Sequence, residues 1–215
     1  MPSSLRVLLD QHQTPDRRFL LFVLVVTVAL RIAWIASVPV EPVSDYRWYL
    51  DRAISLASGD GYVASDGSPT AYFPVGYPAF LALIFLVCGS SVFAAKLANV
   101  LLSAGTIAML YSLAQGLITE RRGPTRIRRL AAILLAFFPS QILYVSLLSD
   151  SILFQFLLYL GLLSLAVPSW WRNMAGGLVF GLATLTRPYA FFVPLLAAAF
   201  LWAGQPGQRR LGNLA

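Results

Sequence analysis

Seven apolar runs, set apart by short basic or polar segments, decide the solvent in which this chain folds. They cover roughly 19–39, 75–88, 92–118, 130–148, 151–167, 174–187 and 189–204. Of the 215 residues, 58% are hydrophobic and 12% are charged, against about 25% charged in an ordinary soluble domain. A chain this apolar cannot clothe its surface in polar groups, so the bilayer is the expected solvent. The net charge of +7 does not point to nucleic acid, because the arginines fall in short clusters between the runs, as in cytoplasmic loops. A single Cys88 excludes an intrachain disulfide and a multi-cysteine metal site, and a single His12 excludes a histidine-rich metal centre.

Residues 1–18 are polar and basic, and the run 19–39 is long enough to span, so the expectation is an uncleaved signal anchor rather than a cleaved leader. The run 75–88 is too short to assign by length. The positive-inside rule arbitrates. With Arg6, Arg17 and Arg18 cytoplasmic, a crossing at 75–88 would carry "ERRGPTRIRR" (120–129), with its five Arg and one Glu, to the outside. If 75–88 lies at the outer interface or dips in and returns, that loop, Arg172, Arg209 and Arg210 all fall inside. The expected fold is therefore an all-α membrane protein with six transmembrane helices plus extracytoplasmic juxtamembrane and interfacial helices. Its parts are a cytoplasmic N-terminus 1–18, a membrane module 19–204 with a first outer loop 40–91, and a cytoplasmic tail or truncation point at 205–215.

That topology gathers unusual polar groups on one side. The stretch 45–80 holds Asp45, Asp51, Asp60 and Asp66, four of the nine carboxylates. From Tyr46 its apolar residues Tyr49, Leu50, Ala53, Ile54 and Ala57 follow a helical period, with Arg47, Asp51, Arg52 and Ser55 largely opposite, which predicts an interfacial helix. Gly59 and Gly61 in "SGDGY" end it. Asp45 and Asp150 each fit helix capping as well as chemistry. Arg187, in "TLTRPYAFF", is the lone cation at its outer turn and suits an anion such as a lipid phosphate, although an interfacial Arg also snorkels. Arg31, inside the first run, either snorkels or pairs with Asp45 or Asp150; pairing is slightly favoured. The glycines of "GGLVFGLA", with a G-x-x-x-G at Gly177 and Gly181, fit helix packing.

In order along the chain, the acidic residue of "SDYRWYLDRA", then "ASGDGY", "PTAYFPVGYPAFLALIF", "AFFPSQILYVSLLSDSILF" and "GLATLTRP" resemble the N-terminal half of the polytopic C-type (GT-C) glycosyltransferases. That group includes the dolichyl-phosphate-mannose protein mannosyltransferases and the bacterial aminoarabinose lipid A transferases. The resemblance implies transfer of a sugar from a polyprenyl-phosphate donor to a lipid, polysaccharide or protein acceptor, on the extracytoplasmic face of the plasma membrane. It also implies roles: Asp45 as general base, Asp150 orienting the acceptor or assisting a metal, and Arg187 stabilising the leaving phosphate. Tyr72, Phe73 and Tyr77 would line the sugar or prenyl pocket, with interfacial anchoring the equal alternative. Two departures speak against a divalent metal: a single carboxylate replaces the adjacent acidic pair common among relatives, and no acid stands near "PTAYFP"; no cofactor is otherwise assigned. Relatives are commonly longer, so a partner subunit or further chain is part of the expectation. The alternatives are a polyprenyl-lipid carrier or flippase-like protein, and an inactive assembly subunit retaining the module's shape.

Overall fold

The computed structural model describes residues 14–117, 124–166 and 169–203. Within them the chain is an all-helical membrane protein with no named strand. The helices are α1 (Thr14–Ser37), α2 (Asp45–Ser58), α3 (Gly76–Cys88), α4 (Val92–Leu117), α5 (Pro124–Phe137), α6 (Pro139–Leu143), α7 (Asp150–Leu165), α8 (Trp170–Thr186) and α9 (Phe192–Ala203). Short 3-10 turns at Tyr144–Ser146 and Pro188–Phe191 follow α6 and α8. Of the expected cytoplasmic N-terminus only 14–18 belong to the described residues. Arg6, His12, positions 120–123 and the whole tail 205–215 lie outside them.

Among the described residues two helices, Asp16–Ser37 and Val92–Ala114, are long and apolar enough to cross a membrane, or three if one bent pair counts as a single span. The bent pair is the expected run 130–148: Thr125–Phe137 and Pro139–Ser146 meet at 53°. Pro139 supplies no backbone N–H and keeps Phe138 extended, at φ −65° and ψ 121°, so the helix breaks there. Among the described residues, α7 and α8 are shorter, at 16 and 17 residues. At 13 residues, α3 reaches only about 20 Å, less than a bilayer core of about 30 Å.

The bundle runs up and down. Antiparallel α1 and α4 touch along their length: Lys96 donates to the Val40 carbonyl at one end, Arg31 to Ser103 midway, and Phe19 meets Tyr111 at the other. At the Phe19 end, α5 packs beside both, its Arg128 and Arg129 bonded to Asp16. Next, α7 runs back along α4, with Phe156 against Gly105, and α8 returns along α7, with Phe180 against Gly161. The pair α2–α3 closes the Lys96 end, where Gly76 meets the backbone of Leu185 on α8; a β-carbon there would lie 2.5 Å from the Leu185 carbonyl oxygen, so only glycine permits this approach.

Two sequence expectations change. Arg31 is fully buried, yet it pairs with neither Asp45 nor Asp150. It donates to Ser103 Oγ (3.0 Å) and to the carbonyls of Ala136 (3.0 Å), Leu135 (3.4 Å) and Thr27 (3.5 Å). The Pro139 break leaves the last carbonyls of α5 without helical donors, and Arg31 satisfies them. The glycine stripe also divides by helical phase. Gly176 faces α7 with Phe180 and Ala183, whereas Gly177 and Gly181 look into open space on another face.

Candidate functional site

The Lys96 end of the bundle carries the groups that the sequence singled out. Asp150 opens α7, but it is Ser149 that caps the helix, its hydroxyl accepting from the Ser151 N–H at 3.3 Å. Asp150 is thereby left to Arg187, just past the end of α8. Arg187 Nε donates to Asp150 Oδ2 (2.8 Å) and Nη2 to Oδ1 (2.9 Å), a two-pronged charge-assisted contact. Nη2 also reaches Ser151 Oγ at 2.6 Å and Nη1 reaches Tyr189 Oη at 2.7 Å. The guanidinium lies 5.5 Å from the Phe154 ring centre. Asp150 and Arg187, assigned separate roles from sequence, thus form one ion pair. One Nη1 N–H of Arg187 has no bond assigned among the described residues.

Asp45 stands at the start of α2. It is exposed, and no side-chain capping bond forms at this helix end; Ser44 Oγ lies 3.3 Å from Asp45 Oδ1. The residue before it, Ser44, has φ 50° and ψ −125°, and it is the one non-glycine residue with positive φ among those described. Such a conformation costs of order 1–3 kcal/mol, and strain of this kind clusters at functional sites.

Tyr49, buried one turn along α2, feels the charge of these groups. Its hydroxyl is pushed up to about 12, first by burial, then by the charges of Asp150 and Asp45, with Arg187 pulling the other way. It therefore remains a neutral donor at physiological pH, within the field of all three. Tyr46 is raised as well, by burial first and then by Tyr144, Asp45 and Asp150.

Beside the pair lies a cavity of about 530 Å³ between the bent α6 segment and α7. Arg187 lines it, with Ser140, Gln141, Tyr144, Ser151, Gln155 and Tyr159 as the other polar groups and Ile152, Phe154 and Leu158 as apolar walls. Its size falls in the range of small-molecule sites. The sequence reading missed Gln141, Tyr144, Gln155 and Tyr159. The available signal was Ser151, Gln155 and Tyr159 at i, i+4 and i+8 of an otherwise apolar helix, which puts three polar groups on one face.

The expected aromatic lining sits elsewhere. Tyr72 is 77% exposed, Phe73 is half-buried and Tyr77 is completely buried, its hydroxyl 3.4 Å from Asn99 Nδ2. None of the three lines the cavity. They join Trp48, Tyr49 and Tyr62 in one aromatic cluster, with the Phe73 ring 5.1 Å from Trp48 and 5.4 Å from Tyr49, and Tyr77 5.5 Å from Tyr49. Tyr62 fixes the loop by donating to the Phe73 carbonyl at 2.8 Å. Gly59 and Gly61, at φ 87° and 89°, make the turn that returns this loop over α2. Among the described residues no group of three or more His, Cys, Asp or Glu is placed to hold a metal ion.

Comparison with curated proteins and with solved structures returns no significant match. A family model does match: dolichyl-phosphate-mannose-protein mannosyltransferase, over residues 73–214. Asp45 precedes that stretch, while Asp150, Arg187, the cavity and the helices that frame it fall inside. Since the match takes in well over half of the chain, this protein belongs to the dolichyl-phosphate-mannose-protein mannosyltransferase family of membrane glycosyltransferases.

Proposed function

We propose that the chain is the transfer module of a membrane glycosyltransferase that moves a sugar from a polyprenyl-phosphate donor to an acceptor on the extracytoplasmic side. The observation that carries this reading is the Asp150–Arg187 pair at the edge of a polar cavity. The opposite end of the bundle holds Arg128 and Arg129, and that distribution favours the Asp45 end as the outer one.

In the proposed reaction Asp45 accepts the proton of an acceptor hydroxyl or amine as that atom attacks the anomeric carbon. The bond from the anomeric carbon to the phosphate oxygen breaks, and its electron pair leaves with the polyprenyl phosphate. Arg187 faces the phosphate as its charge grows. Asp150 acts through Arg187, holding its fork in one orientation, a narrower role than orienting the acceptor. Gln141, Gln155 and Tyr159 offer hydrogen bonds to the sugar hydroxyls. Six spans, the plasma membrane and a lipid, polysaccharide or protein acceptor belong to this reading.

The test compares envelope glycans and glycolipids by mass spectrometry in a host deleted for the gene and carrying wild type, Asp45→Asn or empty vector at matched protein levels. A sugar-sized mass restored by wild type and not by Asp45→Asn is the expected result. Equal restoration by both would remove the general base and favour a lipid carrier.

A further inference from the structure

Arg31 puts a charge inside the first spanning helix, and the mechanism above makes no use of it. It is completely buried, yet no carboxylate pairs with it among the described residues. A guanidinium cannot shed its proton, and a buried charge without compensation is strongly unfavourable. Here the compensation comes from the broken end of α5. Pro139 has no N–H to give to the Leu135 carbonyl, its partner four residues back in an uninterrupted helix. Across the 53° bend Ser140 makes no bond to the Ala136 carbonyl, and the next two N–H groups, of Gln141 and Ile142, turn to Phe138 instead. Arg31 donates to the two orphaned carbonyls, at 3.4 Å and 3.0 Å, while its Nε donates to Ser103 Oγ on α4 at 3.0 Å. The end of α5 also carries the negative pole of the helix dipole, which favours a cation there. Arg31 is matched to a broken helix rather than to an anion.

The segment beyond the bend is part of the candidate site. Ser140, Gln141 and Tyr144 form one wall of the cavity that Arg187 lines from the other side. The far end of that wall is tied down as well. Trp34 Nε1, about one turn beyond Arg31 on α1, donates to Ser146 Oγ at 3.3 Å, and Asn99 Nδ2 on α4 donates to the Leu147 carbonyl at 3.0 Å. The wall is held between these ties and the bend, and Arg31 supplies the tie at the bend. We propose that Arg31 is a positioning residue: by replacing the helix donors lost at Pro139 it holds the bend, and through the bend it sets the α6 wall against α7. The proposal rests on the transfer reading only for what the cavity binds; the position of the wall is measured without it.

The wall is read by placing a thiol on it. In a Cys88→Ser background, which removes the one native thiol, Gln141→Cys is reacted in membranes with a charged thiol reagent that does not cross the bilayer. In parallel, transfer per amount of folded protein is measured in chains that keep Gln141. Arg31→Met is expected to slow the labelling several-fold and to lower transfer by about 100-fold, the cost of a misplacement of about 1 Å. Arg31→Lys keeps a charged donor without the fork and should recover part of both. Adding Pro139→Ala to Arg31→Met returns an N–H to the Leu135 carbonyl. Unfolding in detergent should then move back towards wild type, while labelling and transfer stay low; a purely structural role for Arg31 does not separate the two. If Arg31→Met alone does not fold, the double variant decides. A wild type that labels but does not transfer removes the transfer reading and leaves the labelling to decide. Labelling or transfer at the wild-type rate by folded Arg31→Met overturns the proposal, as does recovery of labelling together with stability in the double variant.

Discussion

At one end of the bundle Asp16 takes hydrogen bonds from Arg128 and Arg129; at the other Asp150 takes two from Arg187. The residue types are the same and both arginine sets lie over aromatic rings, Arg128 over Tyr111 and Arg187 over Phe154. The surroundings differ. The Asp16 and Arg128 side chains are 11% and 7% exposed, wedged between α1, α4 and α5. Arg187 is 30% exposed and lines a cavity. The first cluster clamps three helices together; the second leaves charge where a ligand can meet it. What separates a structural ion pair from a site here is not the pair but the space beside it, the cavity that Arg187 lines.

That contrast can be broken from either side. The largest effect on stability is expected from Asp16→Ala, which strands the buried Arg128 without its anion and should cost about 3–5 kcal/mol in unfolding free energy, measured by thermal or denaturant unfolding in detergent. Asp150→Asn should cost less, about 1.5–3 kcal/mol, because it removes charge-assisted bonds from an arginine that solvent still reaches; the same variant should lose transfer activity through misplacement of Arg187. Gly76→Ala drives a methyl into the Leu185 backbone and forces α3 away from α8, at about 1–3 kcal/mol. Gly177→Ala, which meets nothing within 4 Å, should be neutral or gain up to about 1 kcal/mol from helix propensity. A Gly177→Ala penalty as large as that of Gly76→Ala would mean that a partner covers this face of α8.

The membrane class, the helices and the grouping of Asp45, Asp150 and Arg187 at one end were legible because hydropathy and basic loops act over whole segments. Contacts between segments were not. The 130–148 run reads as a single span, and Pro139 in "FFPS" was the mark of its break. Arg31 looked in need of a carboxylate, but that break exposes carbonyls which no pattern in α1 could announce. Arg52 was placed on a solvent face because helical periodicity describes α2 alone and says nothing of a loop that returns to cover it. The cavity escaped notice because its two walls, around Gln141 and Gln155, carry a signal only when read as facing surfaces.

The central claim is that Asp45 does chemistry while Asp16 holds structure. It is tested most directly by measuring the sugar-bearing product per amount of folded protein in membranes carrying wild type, Asp45→Asn or Asp16→Asn. The account predicts that Asp45→Asn unfolds like wild type yet loses about 10²- to 10⁴-fold in transfer, while the Asp16→Asn protein that does fold transfers at the wild-type rate. Wild-type transfer by Asp45→Asn would contradict it.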